Sequence, residues 1–284
     1  MTVTDEQDAF RVVAEWVREL DVSAWGPDRY VGAPSREEGR LFGGLVIAQA
    51  AIAGGRTVEE RHLHSLHAYF LRPGRPKVPV EYHVERPRDG KTFTARRVLA
   101  MQSGEAICDV TVSFMRPEEG VSHEEPPPGA PAPETLRDAR ELYWKNDDGS
   151  MEPLWPFEVR FVTPPDAKAE PGEPLTAMEW VRVRAPLPED PVLQSAALIW
   201  QSDAGSFAGL ERRYGWAGTV FKASASLDHA IWLHRPVRWD DWILVVTDTP
   251  VAHGSRALTH RQFYTRDGTH IATMAQEAVY RRES

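Results

Sequence analysis

The 284-residue chain contains a single cysteine, which excludes a disulfide framework and any cysteine-rich metal site. No apolar stretch approaches the ~20 residues that a membrane-spanning helix needs. The most apolar run, residues 45–53, is interrupted by Gln49 and stops at Gly54-Gly55. Positive charge is in deficit, with 33 basic against 42 acidic residues and a net charge of −9, and no basic stripe is present. Nucleic acid is therefore not an expected partner. The N-terminal MTVTDEQDAF has neither the basic region nor the apolar core of an export signal, and the terminal RRES matches no anchor or sorting tail. A cytoplasmic protein without membrane insertion is the expectation.

Apolar material is nonetheless ample, 42% of the chain with 10 tryptophans, so disorder is excluded. The length is about twice the ~100–150 residues of a single domain. Of the 23 prolines, 15 lie between Pro117 and Pro191. Proline removes a backbone donor and fixes φ, so this stretch reads as a connector with strands embedded near 157–163 and 177–184. On either side the pattern is alike. The first half reads as a helix over 5–20, a short strand at 30–32, an apolar helix over roughly 43–60, and strands at 63–71, 78–86, 92–102 and 105–115. The second helix begins at Asp190-Pro191, an N-cap followed by proline at the first helical position. Strands follow near 219–228, 230–235, 242–251, 256–266 and 270–281.

The halves echo each other in sequence. The run His67-Ala68-Tyr69-Phe70-Leu71-Arg72-Pro73 returns as His229-Ala230-Ile231-Trp232-Leu233-His234-Arg235-Pro236 with one residue inserted, and Ser103-Gly104-Glu105-Ala106-Ile107 returns as Asp267-Gly268-Thr269-His270-Ile271. The offset is 163 at the prolines (236 − 73) and 164 at the glycines (268 − 104), which points to an internal duplication. A helix apolar all round must be wrapped by its sheet. The expectation is an α+β protein of two tandem units, residues 1–118 and 153–284, joined by a proline-rich connector over 119–152. Each unit would hold a long helix wrapped by a curved antiparallel sheet, with a cleft at the seam.

Two polar residues stand out. Val192, Ala196, Ile199 and Asp203 follow spacings of 4, 3 and 4, so Asp203 ends an apolar helical stripe. It is either a surface residue at a fraying end or a buried carboxylate kept for general-base work. In the last strand, alternation sets Gln276 among Ala272, Met274, Ala278 and Tyr280, where it is either a satisfied core amide or a functional one. Alternation through VFKASASLD assigns Ser226 to the polar face with Lys222, Ser224 and Asp228, against burial unless a bulge intervenes.

The strings Phe42-Gly43-Gly44, residues 64–74 (HSLHAYFLRPG), residues 88–98 (RDGKTFTARRV), residues 228–236 (DHAIWLHRP) and Gln276-Glu277, in that order, resemble type II acyl-CoA thioesterases. The resemblance spans about residues 20–118 and 155–282. It implies a double hotdog fold and hydrolysis of (fatty) acyl-CoA to a carboxylic acid and CoA without a covalent intermediate. It further implies that Asp203, Ser226 and Gln276 position the attacking water, with serine standing where the family has threonine. Gly43-Gly44, at a free helix N-terminus, are candidate oxyanion and substrate-binding residues. No cofactor is implied beyond the CoA of the substrate, and a homodimer or homotetramer is compatible with the family.

Other residues point elsewhere. His64 and His67 lack the companions of a metal site, Cys108 lacks a base partner, and Ser195 and Ser206 lack a nucleophile elbow. His229 and Asp228 are neighbours in a strand and face opposite ways. Arg96-Arg97 and Arg281-Arg282 are either contacts for CoA phosphates or solvated strand ends. Two alternatives stand beside hydrolysis. One is an acyl-CoA-binding hotdog protein without turnover. The other is a hotdog enoyl-CoA hydratase, whose Gly-Asp-x-Asn-Pro-x-His motif is absent from the chain.

Overall fold

A helix with no polar face is stable only where every side is covered, and two such helices organise this chain. The computed structural model describes residues 3–35, 39–143, 154–214 and 221–282. Helix α1 spans Val3–Leu20, and α2, Gly43–Gly55, is buried along its length apart from Gly43. The sequence reading carried α2 to about residue 60. It ends earlier because Gly54-Gly55 weaken the last turn and Thr57 folds back, its hydroxyl donating to the Gly54 carbonyl at 2.8 Å. Helix α3 (Ala139–Leu142) lies in the connector. Helix α4 spans Pro191–Asp203 and starts as expected, with the Asp190 carboxylate accepting from the Val192 N–H at 2.9 Å. A short helix that the sequence reading lacked, α5 (Ala208–Tyr214), follows.

The strands are β1 (Val22–Gly26), β2 (Arg29–Gly32), β3 (His62–Phe70), β4 (Val80–Asp89), β5 (Phe93–Gln102), β6 (Glu105–Met115), β7 (Phe157–Phe161), β8 (Thr176–Val183), β9 (Phe221–Ser226), β10 (Asp228–Leu233), β11 (Ile243–His253), β12 (Arg256–Thr265) and β13 (His270–Arg282). They form one antiparallel sheet in the order β1-β2-β4-β5-β6-β3-β10-β13-β12-β11-β8-β7, with β9 also pairing β13. The order is palindromic in kind. Each half contributes six strands to this path, β9 being the thirteenth, and β3 meets β10 at the seam, where His67 pairs with Ala230 and Leu66 with Ile231. This is the expected α+β double hotdog, with α2 and α4 packed against each other in the concavity. Glycine permits their approach: a β-carbon on Gly44 would lie 2.8 Å from the Trp200 carbonyl, and one on Gly55 would lie 2.6 Å from Val192.

The duplication is also visible in two buried arginines 165 residues apart (261 − 96). Arg96 donates to the backbone and hydroxyl of Thr57, just past α2, and pairs with Asp89 at 2.7 Å. Arg261 donates to the carbonyls of Gln201, Ser202 and Ala204 at the end of α4 and pairs with Glu179 at 2.7 Å. Each cation meets the negative end of a helix. The described part of the connector, 119–143, lies on the second half, where the Trp180 indole donates to the Pro131 carbonyl and Arg160 to those of Pro133 and Leu136. The expected boundary at 152/153 and the first residues of the strand read over 219–228 lie outside the described residues.

Candidate active site

Asp203 is the last residue of α4 and only 7% exposed. Its stripe points into the seam, so the buried reading of this carboxylate is the one the structure adopts. Arg261 secures the turn that carries it, ligating carbonyls on both sides of the residue. Asp203 Oδ1 accepts from the Ser226 hydroxyl at 3.3 Å, and Ser226 Oγ accepts from Gln276 Nε2 at 2.7 Å. Gln276, fully buried in β13, also donates to Ser206 Oγ at 3.3 Å. Three residues on α4, β9 and β13 thus form one chain of hydrogen bonds.

Ser226 corrects the alternation reading, and the cause is local. Ser226 pairs with Ala278 in the β9–β13 ladder, whereas Ala230 pairs with Ala275 in the β10–β13 ladder. Four steps on one strand therefore match three on the other, which defines a one-residue bulge at Leu227–Asp228. The backbone there is satisfied by an unusual pairing: Leu227 N–H donates to the Glu277 carbonyl at 2.9 Å, and the Glu277 N–H donates to the Asp228 carboxylate at 2.8 Å. The extra residue reverses the facing of everything before it, so Ser226 joins the Gln276 side.

The bulge also brings in a residue that sequence reasoning passed over. His229 is fully buried, with Nδ1 at 2.5 Å from Gln276 Oε1 and Nε2 at 2.9 Å from Ser202 Oγ. Burial pushes its pKa below the ordinary imidazole value, against the pull of Asp203. The string comparison aligned it with His67, but His67 is exposed with its ring edge on Trp232. Burial along the two strands aligns His67 with Ala230 and His229 with Leu66, the 163-residue offset of the prolines.

Gly43 and Gly44 open α2 beside the carboxylate. A β-carbon on Gly43 would stand 3.0 Å from Asp203 Oδ2 and 3.0 Å from the Phe70 ring, and no side chain caps this N-terminus. The uncapped first turn of α2 therefore lies beside the Asp203 carboxylate.

The remaining candidates are committed elsewhere. His64 Nε2 meets Ser113 Oγ at 2.8 Å, and Ser195 donates to the Pro191 carbonyl at 2.8 Å. Cys108 is buried, and burial pushes its thiol pKa well up. Arg96 is neither solvated nor available to a phosphate, because its donors are spent on Thr57, Arg88, Ala95 and Asp89. Arg97 is paired with Asp109 at 2.7 Å. Among the described residues no three His, Cys, Asp or Glu side chains converge as metal ligands.

Two fused hotdog units with one polar cluster at the seam define the class of protein. A conserved protein of unknown function with hot dog fold from Alicyclobacillus acidocaldarius superposes with a TM-score of 0.75 over 95% of this chain and 99% of its own, at 18% identity, a likeness of fold. Sequence narrows the class. A family model described as acyl-CoA thioesterase matches residues 155–279, and one described as acyl-CoA thioesterase N-terminal domain matches residues 33–115. Acyl-coenzyme A thioesterase 8 of Mus musculus is 36% identical over 260 residues, covering 85% of this chain and 80% of the relative. The crystal structure of acyl-CoA thioesterase II TesB2 from Mycobacterium marinum is similar at 35% identity and a TM-score of 0.80, covering 94% of this chain and 98% of that one. The chain belongs to the acyl-CoA thioesterase family, and within it to the type II enzymes.

Proposed function

We propose that this chain hydrolyses the thioester of an acyl-CoA, (fatty) acyl groups included, with Asp203 as general base. Ser226 and Gln276 orient the water, Asp203 accepts its proton, and the hydroxide oxygen bonds to the thioester carbonyl carbon. The negative charge that develops on the carbonyl oxygen needs fixed donors, a role assigned here to the N–H groups of Gly43 and Gly44 and supported by the start of α2, which no side chain caps. As the C–S bond breaks, the sulfur leaves with the bonding electrons and takes up the proton that Asp203 accepted, releasing CoA and the carboxylic acid and restoring the carboxylate. No group on the chain forms a covalent intermediate in this scheme.

The observation that carries the reading is the unbroken chain Gln276–Ser226–Asp203 next to the free end of α2. A buried carboxylate that accepts from a hydroxyl, which in turn accepts from an amide, is poised to hold water. The test is steady-state release of free thiol from acyl-CoA by the wild-type protein and by Asp203→Asn. Thiol release abolished by the substitution supports the reading. Binding of acyl-CoA without thiol release by the wild type would indicate a carrier. Loss of absorbance from an enoyl-CoA without thiol release would indicate a hydratase.

A further inference from the structure

We propose that His229 is a positioning residue of this site: through Nδ1–H it holds the carbonyl end of the Gln276 amide and so dictates which end faces Ser226. The inference rests on the reading that Asp203, Ser226 and Gln276 hold the water.

The argument is one of donors and acceptors. A serine hydroxyl has one hydrogen, and an amide has donors only at its nitrogen. For Ser226 to give its hydrogen to Asp203, 3.3 Å away, its oxygen must accept from another group, and Gln276 Nε2 is 2.7 Å away. That turns Gln276 Oε1 towards His229, 2.5 Å from Nδ1. An acceptor facing an acceptor would be repelled, so the hydrogen of the imidazole must sit on Nδ1. With the amide reversed, Gln276 would present its oxygen to Ser226. The serine hydrogen would then go to the amide, and Asp203 would lose its partner. The ring itself is seated by Ser202, whose Oγ lies 2.9 Å from Nε2: with the ring hydrogen on Nδ1, the one Ser202 hydrogen goes to Nε2 and not to the Ile199 carbonyl 2.7 Å away on α4.

The first half of the molecule supplies an internal control. Leu66 pairs with Val112 in the β3–β6 ladder, the place that His229 and Gln276 hold in β10 and β13, and both are fully buried. Gly55 ends α2 where Asp203 ends α4. An apolar pair therefore closes this part of the fold without difficulty. The polar pair occurs in the half that carries the carboxylate, which ties His229 to the site and not to the packing of the sheet.

Two substitutions separate the two ring nitrogens. The amide nitrogen of His229→Asn can take the place of Nδ1, whereas His229→Gln reaches towards Ser202 and forfeits Nδ1. The experiment measures kcat and KM for thiol release in both variants, in Gln276→Ala, and in His229→Gln/Gln276→Ala, with thermal melts as a check on folding. Expected are a His229→Asn enzyme within about tenfold of wild-type kcat, and a His229→Gln enzyme as impaired as Gln276→Ala, by about 10²-fold, with KM little changed and no further loss in the double variant. Equal losses in His229→Asn and His229→Gln, or additive losses in the double variant, would overturn the proposal. Should His229→Gln fail to fold, 15N spectra of histidine-labelled wild-type protein decide: a hydrogen on Nδ1 of His229 is expected, and one confined to Nε2 is the contrary result. Asp203→Asn serves as the separate control. If it keeps wild-type activity, the hydrolytic reading fails; if it is inactive while the histidine variants behave alike, the positioning role alone fails.

Discussion

Arg261 holds the end of α4 without joining the Asp203–Ser226–Gln276 chain itself. Burial lowers the pKa of its guanidinium and raises that of Glu179, so each charge is tolerated only beside the other. Replacing Arg261 with leucine leaves Glu179 buried without its cation and frees three carbonyls at the end of α4. A destabilisation of about 3–5 kcal/mol in denaturant unfolding is expected, with part of it recovered by adding Glu179→Gln. Ser226 makes a gentler prediction. In the proposed mechanism its hydroxyl holds the water, so Ser226→Thr should stay within about threefold of wild-type kcat while Ser226→Ala loses at least about tenfold, read by thiol release. Asp203 and Gln276 were legible as residues because an apolar stripe ended on the first and an apolar alternation was interrupted by the second. His229 was not, because strand alternation reports only that it faces away from Asp228, and burial by a partner on β13 leaves no mark in the local sequence.

At the scale of elements the decisive feature is the bulge between β9 and β10. Period-two reasoning assigns Ser226 to the polar face and fails there, because one extra residue inverts the facing of a strand. The Asp228 carboxylate stands in for the missing ladder acceptor, taking the Glu277 N–H at 2.8 Å. Asp228→Ala should therefore lower both stability, by about 1–3 kcal/mol, and kcat, as the bulge relaxes and Ser226 turns away. Asp228→Asn keeps an acceptor oxygen and should keep most of both, as thermal melts and thiol release can show. The helices were easier to read. Asp190-Pro191 fixed the start of α4, the end of α2 was misplaced, where the Thr57 hydroxyl substitutes for a further turn, and the one-turn α3 in the connector was not read. Helix α5 was missed because the residues before it, Asp203-Ala204-Gly205, read as a chain terminus of α4 and give no cap signal of their own.

At the scale of the whole molecule the duplication explains both the architecture and its asymmetry. Units of six and seven strands meet at β3 and β10, and a corresponding buried arginine closes the helix in each. Repetition of short strings at one offset was enough to read this fold from sequence, since a repeated hydrophobic pattern specifies a repeated unit. What the strings blurred was a one-residue insertion, which paired His229 with His67 when burial pairs it with Leu66. That single step separates the two ends of the helix pair. One end has Asp203, Ser226, Gln276 and His229, and the other has Gly55, Val112 and Leu66. Among the described residues the two halves share the scaffold and the second alone carries the Asp203–Ser226–Gln276 cluster, so the proposed hydrolysis should depend on that carboxylate. Steady-state thiol release by Asp203→Asn measures that dependence most directly. A fall in kcat of about 10²–10⁴-fold with KM and the thermal melt little altered is the predicted result, and a variant that releases thiol at the wild-type rate would contradict it.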